Sequence, residues 1–222
     1  MAERSSQRSR GSVYPGYDVL AKWNSPSWND KTRDVISRRL AVANDPRFFT
    51  AEEFQSVTAM ADRIVPQSAS HSRIPVAALV DRKLQDGIFD GYRPAGMPRD
   101  GDAWRLGLHA LDAEALSRHG SRFAEMAGPD QDALLRRCEA GGLHAPEWAG
   151  MPPSAFFKHR LLQDLVLAYY SHPAAWSEIG WGGPASPRGY VRLDFDDRDP
   201  WEAAEAKPGD ELAALRINRH VR

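Results

Sequence analysis

The run PSAFFKHRLLQDLVLAYYS, Pro153–Ser171, decides the fold. Phe156, Phe157, Leu161, Leu162, Leu165, Val166 and Tyr169 recur at helical spacings and cover more than one face. A helix apolar on more than one side belongs at the centre of a structure, with other helices packed around it. Those neighbours can be read outward from it. In FFTAEEFQSVTAMADRIVP, Phe48–Pro66, Thr50 stands three residues before Glu53 in a capping-box pattern, so a helix starts there and Pro66 stops it. Its expected apolar stripe is Phe54, Val57, Ala61 and Ile64, with Phe48 and Phe49 as a staple before the cap. A second helix is expected from Pro75, with Val76, Leu79, Val80 and Leu84 on one side and Gly87 closing it. Further helices are expected from about Gly101 to His119, from Pro129 to Glu139 and, short, from Glu211 to Asn218.

Only GYVRLDF, Gly189–Phe195, alternates as a strand would, and it is short and flanked by prolines and aspartates. The fold class is therefore all-α, a single irregular helical domain with extended arms at both ends and little or no β structure. Residues 1–40 read as an N-terminal arm whose tip, carrying Arg4, Arg8 and Arg10, is expected to be disordered. Tyr14, Tyr17, Trp23 and Trp28 in the same arm indicate that the rest of it docks against something. Residues 41–192 form the helical domain, and 193–222 an acidic tail.

With 222 residues, 42% of them hydrophobic and 27% charged, the chain is long enough to bury a core as one domain. A net charge of −1 supplies no field that would draw it to nucleic acid or to anionic lipid. The longest apolar run, LVLAYY from Leu165 to Tyr170, is too short for a membrane span. Positive charges near the start precede no apolar stretch, so no export signal is read. The expectation is a cytoplasmic chain, or a periplasmic one if a partner carries the address. Cys138 stands alone and makes no internal disulfide; it is expected as a partly buried thiol on DQDALLRRCEAG, with a bridge to another chain left open.

Glycine-rich phosphate loops, nucleophile elbows and Cys-x-x-Cys or His-Glu-x-x-His metal motifs are missing from the sequence. His159 and His172 lie on different sides of the central helix, and His109 and His119 gain no third ligand at useful spacing. DFDDRDP, Asp194–Pro200, puts Arg198 where a calcium loop needs an oxygen and lacks the glycine and the later glutamate. His172 differs from the other histidines, because Pro173 holds its backbone extended after two tyrosines; a helix cap and a functional contact are both open to it.

The segment AYYSHPAAWSEIGWGGPASPRGY, Ala168–Tyr190, concentrates aromatics on a backbone whose path glycine and proline constrain. Two readings follow: a loop folded back over the protein's own core, or a rigid aromatic surface for another protein. This segment, preceded by FFTAEEFQSVTAMADRIVP and IPVAALVDRKLQD, resembles the gluconate 2-dehydrogenase subunit 3 family over roughly Phe48–Tyr190. The order Tyr-Tyr, His-Pro, Trp, then Gly-Pro-x-x-Pro-x-Gly-Tyr is specific in combination. The resemblance implies a non-catalytic, mostly helical small subunit held against a large flavoprotein of the glucose-methanol-choline type; the alternatives are a free-standing small-ligand enzyme with a pocket of His172, Tyr170 and Asp164, and an escort that binds the flavoprotein and then leaves. That partner would carry FAD and oxidise sugars, glycosides or sugar acids, in some complexes with a cytochrome c subunit as electron acceptor. It also implies no cofactor or metal on this chain. The expected partner-contact residues are Tyr169, Tyr170, His172, Trp176, Trp181 and Tyr190, with Gly182, Gly183, Pro184 and Gly189 shaping the loop. Family members often carry a twin-arginine signal on this subunit, and this sequence departs from that pattern.

Overall fold

A computed structural model describes residues 12–67, 73–185, 189 and 197–221. Tyr190, the alternating stretch that follows it and the arginine-bearing tip lie outside those residues. Among the described residues there are helices and no strand, as the apolar periodicity requires. The chain divides into two compact units: Ala41–Tyr170, and the two ends together, Met1–Leu40 with Ser171–Arg222.

The capped helix begins where its capping box places it. Helix α2 (Ala51–Ile64) follows Thr50, whose Oγ1 accepts from the Glu53 N–H at 3.2 Å while Glu53 Oε2 accepts from the Thr50 N–H at 2.8 Å. Its buried side is Ser56, Val57, Met60 and Ala61, one position round from the expected stripe. The approach to α2 is fixed by a residue that periodicity does not single out. Asp81, buried on α3 (Val76–Gln85), accepts the backbone N–H groups of Arg47, Phe48 and Phe49 at 2.7–3.0 Å. Phe49 then meets Trp104 of α4 (Asp100–His119) edge-on at 5.8 Å, and Trp104 meets Phe156 of α6 (Pro153–Phe156) at 5.7 Å. Gly107 lets that ring in, since any Cβ there would overlap Phe156. Helix α5 (Gly128–Glu139) closes the unit and buries Cys138 completely.

The run that opened the sequence reading is helical throughout, but it is not the unbroken α-helix expected. After α6 the backbone widens into a π-helical stretch, Phe157–Leu162, before α7 (Gln163–Tyr170). The buried positions give the reason. Phe156 with Phe157, Arg160 with Leu161, and Asp164 with Leu165 repeat every four residues. On an α-helix a four-residue repeat drifts by about 40° per turn; a wider turn holds it facing one way.

That facing side carries charge. Arg160 contacts Asp90 at 2.9 Å and Asp100 at 2.8 Å, the latter an ion pair whose N–H is not aimed at the oxygen. Asp164, with its side chain fully enclosed, accepts from Lys83 Nζ at 2.8 Å and from Trp104 Nε1 at 2.7 Å. Lys83 also holds Asp90 at 2.6 Å. Burial alone would depress the Lys83 ammonium, but Asp164 and Asp90 outweigh it and leave it raised. Burial would likewise raise Asp90, and Lys83 and Arg160 hold it low instead.

The second unit corrects the picture of two separate arms. The N-terminal turn Val19–Lys22 and helix α1 (Asp30–Leu40) share a core with α8 (Pro173–Glu178), the chain around Trp201 and Val221, which lies just beyond α9 (Glu211–Asn218). Tyr17, Val19, Trp28, Ile36, Trp176, Trp201 and Val221 are its buried members. The Tyr17 hydroxyl donates to the Trp201 carbonyl at 3.1 Å, and Asn218 Nδ2 donates to the carbonyls of Pro15 and Ala204 at 3.0 Å each. The arm aromatics therefore dock on the chain's own tail, a pairing across roughly 180 residues of sequence that no local pattern reveals.

Removing one partner of a buried ionic cluster strands the others. Asp164→Ala is therefore expected to lower unfolding stability by about 3–5 kcal/mol in urea titration. A loss below about 1 kcal/mol would show that the cluster does not hold this unit.

Candidate functional site: an aromatic turn over a buried lysine

The expected contact residues fall into both units. Tyr169 and Tyr170 end α7, their rings edge-to-face at 5.1 Å; Tyr169 is buried and Tyr170 is 46% exposed. His172 is the N-cap of α8, its Nδ1 accepting the Ala174 N–H at 3.2 Å. Burial, helped by Arg39, lowers the His172 pKa, so the ring stays in the neutral form that can accept. Of the two roles open to this histidine, the cap is the one seen. Trp176, read as a contact ring, is instead 1% exposed and sits in the core of the second unit, because α8 turns its apolar face onto Tyr17, Trp28 and Ile36. Trp181 lies edge-on to it at 5.0 Å and keeps 38% of its surface open. The loop therefore folds back over the protein's own core and still leaves one tryptophan at the surface.

The glycine pair is explained by what lies beneath it. Gly183 has φ +72°, and a Cβ there would press on the rings of Trp176 and Trp28 at 3.0–3.1 Å. A Cβ on Gly182 would stand 3.4 Å from the Lys22 ammonium. Pro184 follows, partly buried; Gly189, exposed at φ +79°, donates its N–H to the Ala185 carbonyl, and a Cβ there would meet no described atom within 4 Å. Tyr190 lies outside the described residues.

Lys22 is the residue that the sequence reading missed. It is 1% exposed, donates to Ser27 Oγ at 3.0 Å and lies 4.9 Å over the Trp28 ring. With Tyr14, Trp181, Gly182, Asp199 and Glu202 it lines a cleft of about 300 Å³. Burial pulls its pKa down to about 8, with Glu202 pulling the other way. A charged residue inside the aromatic run YDVLAKW was the available signal, but a lysine there reads as a solvated break. Chemically the ammonium supports the turn from below, by hydrogen bond and by attraction to the ring face.

Groups suited to acid–base work are otherwise occupied. Asp164 is bonded on both oxygens, and Glu114 accepts from the backbone N–H groups of His144 and Ala145 at 2.6 and 2.7 Å. Cys138 donates to the Pro153 carbonyl, and burial pushes its thiol up to about 12, so in this fold it is shielded from any bridge to another chain. No cluster of His, Cys, Asp and Glu with metal-binding geometry occurs among the described residues, and no helix among them is long and apolar enough to cross a membrane.

Residues 51–183 match the family described as gluconate 2-dehydrogenase subunit 3. The chain belongs to that family. The match starts at the first residue of α2 and ends at Gly183, so it takes in most of the central unit and the turn over Lys22. Comparison with curated proteins and with solved structures found no match. Membership in the gluconate 2-dehydrogenase subunit 3 family makes this chain a subunit of a dehydrogenase complex.

A lysine whose folded pKa is depressed binds fewer protons than the unfolded chain between about pH 8 and its ordinary value near 10.4. Stability conferred by this site therefore rises as pH climbs through that window. Measured against Lys22→Met, the wild-type protein is expected to gain on the variant from pH 8 to 10 in thermal unfolding. A difference that stays flat with pH would show that Lys22 titrates normally.

Proposed function

We propose that this chain is a non-catalytic small subunit that binds and stabilises, or matures, an FAD-dependent dehydrogenase of the glucose-methanol-choline type acting on sugars, glycosides or sugar acids. The observation that carries the reading is the family match across 51–183. The interior supports it: Asp164, Glu114 and His172, residue types suited to proton chemistry, each hold a structural bond. Large apolar side chains left in solvent point the same way, among them Phe89 at 64%, Tyr92 at 76% and Leu167 at 56%. Isolated exposed apolar residues are ordinary, but several together mark a surface meant to be covered.

In this reading FAD and the substrate-selecting residues belong to the large subunit, and this chain contributes surface. A partner that binds only the folded large subunit raises its stability by mass action. Expressed without this chain, the large subunit is expected to lose most of its soluble yield and bound flavin, read from the flavin absorbance per milligram of purified protein. Equal yield and flavin content with and without this chain would reject the proposal.

A further inference from the structure

The connection between α3 and α4 holds an unusual combination. Ile88, Phe89 and Tyr92 are 56%, 64% and 76% exposed. Yet the loop that carries them is tied down from beneath. Asp90, between Phe89 and Tyr92, reaches into the buried cluster to Lys83 and Arg160, and accepts from Gln163 Nε2 at 3.3 Å. Gly91 takes φ +73°, a conformation that L side chains rarely adopt, and the chain bends there. Further on, Met97 is buried and its N–H donates to the Pro94 carbonyl at 3.2 Å. Aromatics on an unanchored loop would shield each other or collapse onto the surface; these are held outward by ionic contacts to Asp90.

The same side continues onto α7. Gln163, which touches Asp90, is followed at i+4 and i+7 by Leu167 and Tyr170, so one helical stripe leads away from the loop. Leu167 is 56% and Tyr170 46% exposed. The charge at the edge is one-sided. Asp86 pairs with Arg82 and Asp90 with Lys83 and Arg160, whereas the exposed Arg93 and Arg99 pair with no carboxylate among the described residues. The face is thus apolar in the middle and cationic at its rim, with both elements already in place.

We infer that this face, the loop Ile88–Tyr92 with the Leu167–Tyr170 stripe, is where the large dehydrogenase subunit docks, presenting an apolar patch edged with carboxylates. This rests on the accessory-subunit reading above and adds the place and the chemistry of the contact. The apolar centre supplies affinity, and Arg93 and Arg99 speed and orient encounter. A preformed loop loses little entropy on docking.

The test co-expresses the full chain with candidate large subunits, FAD-dependent dehydrogenases of the glucose-methanol-choline type from the same genome. Three variants accompany wild type: Phe89→Asp with Tyr92→Asp, Arg93→Glu with Arg99→Glu, and Leu212→Asp, a 76% exposed residue of α9, as control. All the altered side chains are solvent-facing, and the thermal midpoint of each isolated variant checks that it folds. The aromatic pair is expected to cut one-to-one co-purification about tenfold or more. The arginine pair should slow association and reduce its dependence on salt, and Leu212→Asp should change neither. If wild type assembles and the aromatic and arginine variants assemble equally well, the face is wrong while the subunit reading stands. If wild type forms no complex, the subunit reading fails and takes this inference with it. If the free chain dimerises and Phe89→Asp with Tyr92→Asp abolishes the dimer without affecting the complex, the occupant is a second copy and the inference is overturned.

Discussion

Arg160 and the carboxylates around it are the constraint on which the central unit depends. A guanidinium only 4% exposed in its side chain has to be matched by anions, and Asp90 and Asp100 come to it from two other parts of the chain, with Asp164 one turn along the same helix. Lys83 and the Trp104 indole complete the set. Buried ion pairs offset their own desolvation poorly, so such a cluster adds less stability than hydrophobic residues of like volume would. What it specifies here is position. It joins α3, α4 and the helix through the π-helical stretch, and it holds the Ile88–Tyr92 loop in one conformation. The widened turn belongs to the same arrangement, since it keeps Arg160 and Asp164 facing the cluster while Phe156 and Leu165 remain in the apolar core.

The second unit solves a different problem with similar means. Two chain ends far apart in sequence are joined around Trp28, Trp176 and Trp201, with Lys22 buried among the rings. The turn Trp181–Pro184 is shaped by this floor. Gly183 lets the backbone lie against two indoles, and Gly182 gives the ammonium room. The stiffness read into the glycines and prolines is real at Gly183, but it serves the protein's own core as much as any surface.

Much of the helical layout was legible because its signals are local. Thr50 with Glu53, Pro66, Gly87 and the bounds Glu211–Asn218 each declare themselves within a few residues. The π-helical stretch was written in the four-residue repeat of buried pairs, yet spacings of three and four are so usual in α-helices that the repeat passes as ordinary amphipathicity. Asp81, Arg160 and Lys22 were not legible at all. A charged residue on a helix or in an aromatic arm reads as solvated, and only three-dimensional neighbours show that its charge is buried and matched. For the same reason Tyr169 and Trp176 looked like surface rings. Ile88, Phe89 and Tyr92 drew no attention because a short loop has no periodicity, and their exposure becomes informative only once Asp90 is seen to anchor them.

The central claim is that the ionic cluster presents a finished docking face to a flavoprotein. The most direct measurement is an experimental structure of this chain bound to its dehydrogenase. The account predicts that Phe89, Tyr92, Leu167 and Tyr170 are covered by the large subunit, with Asp90 still on Lys83 and Arg160 and carboxylates of the partner facing Arg93 and Arg99. A complex in which that loop and stripe remain in solvent would contradict it.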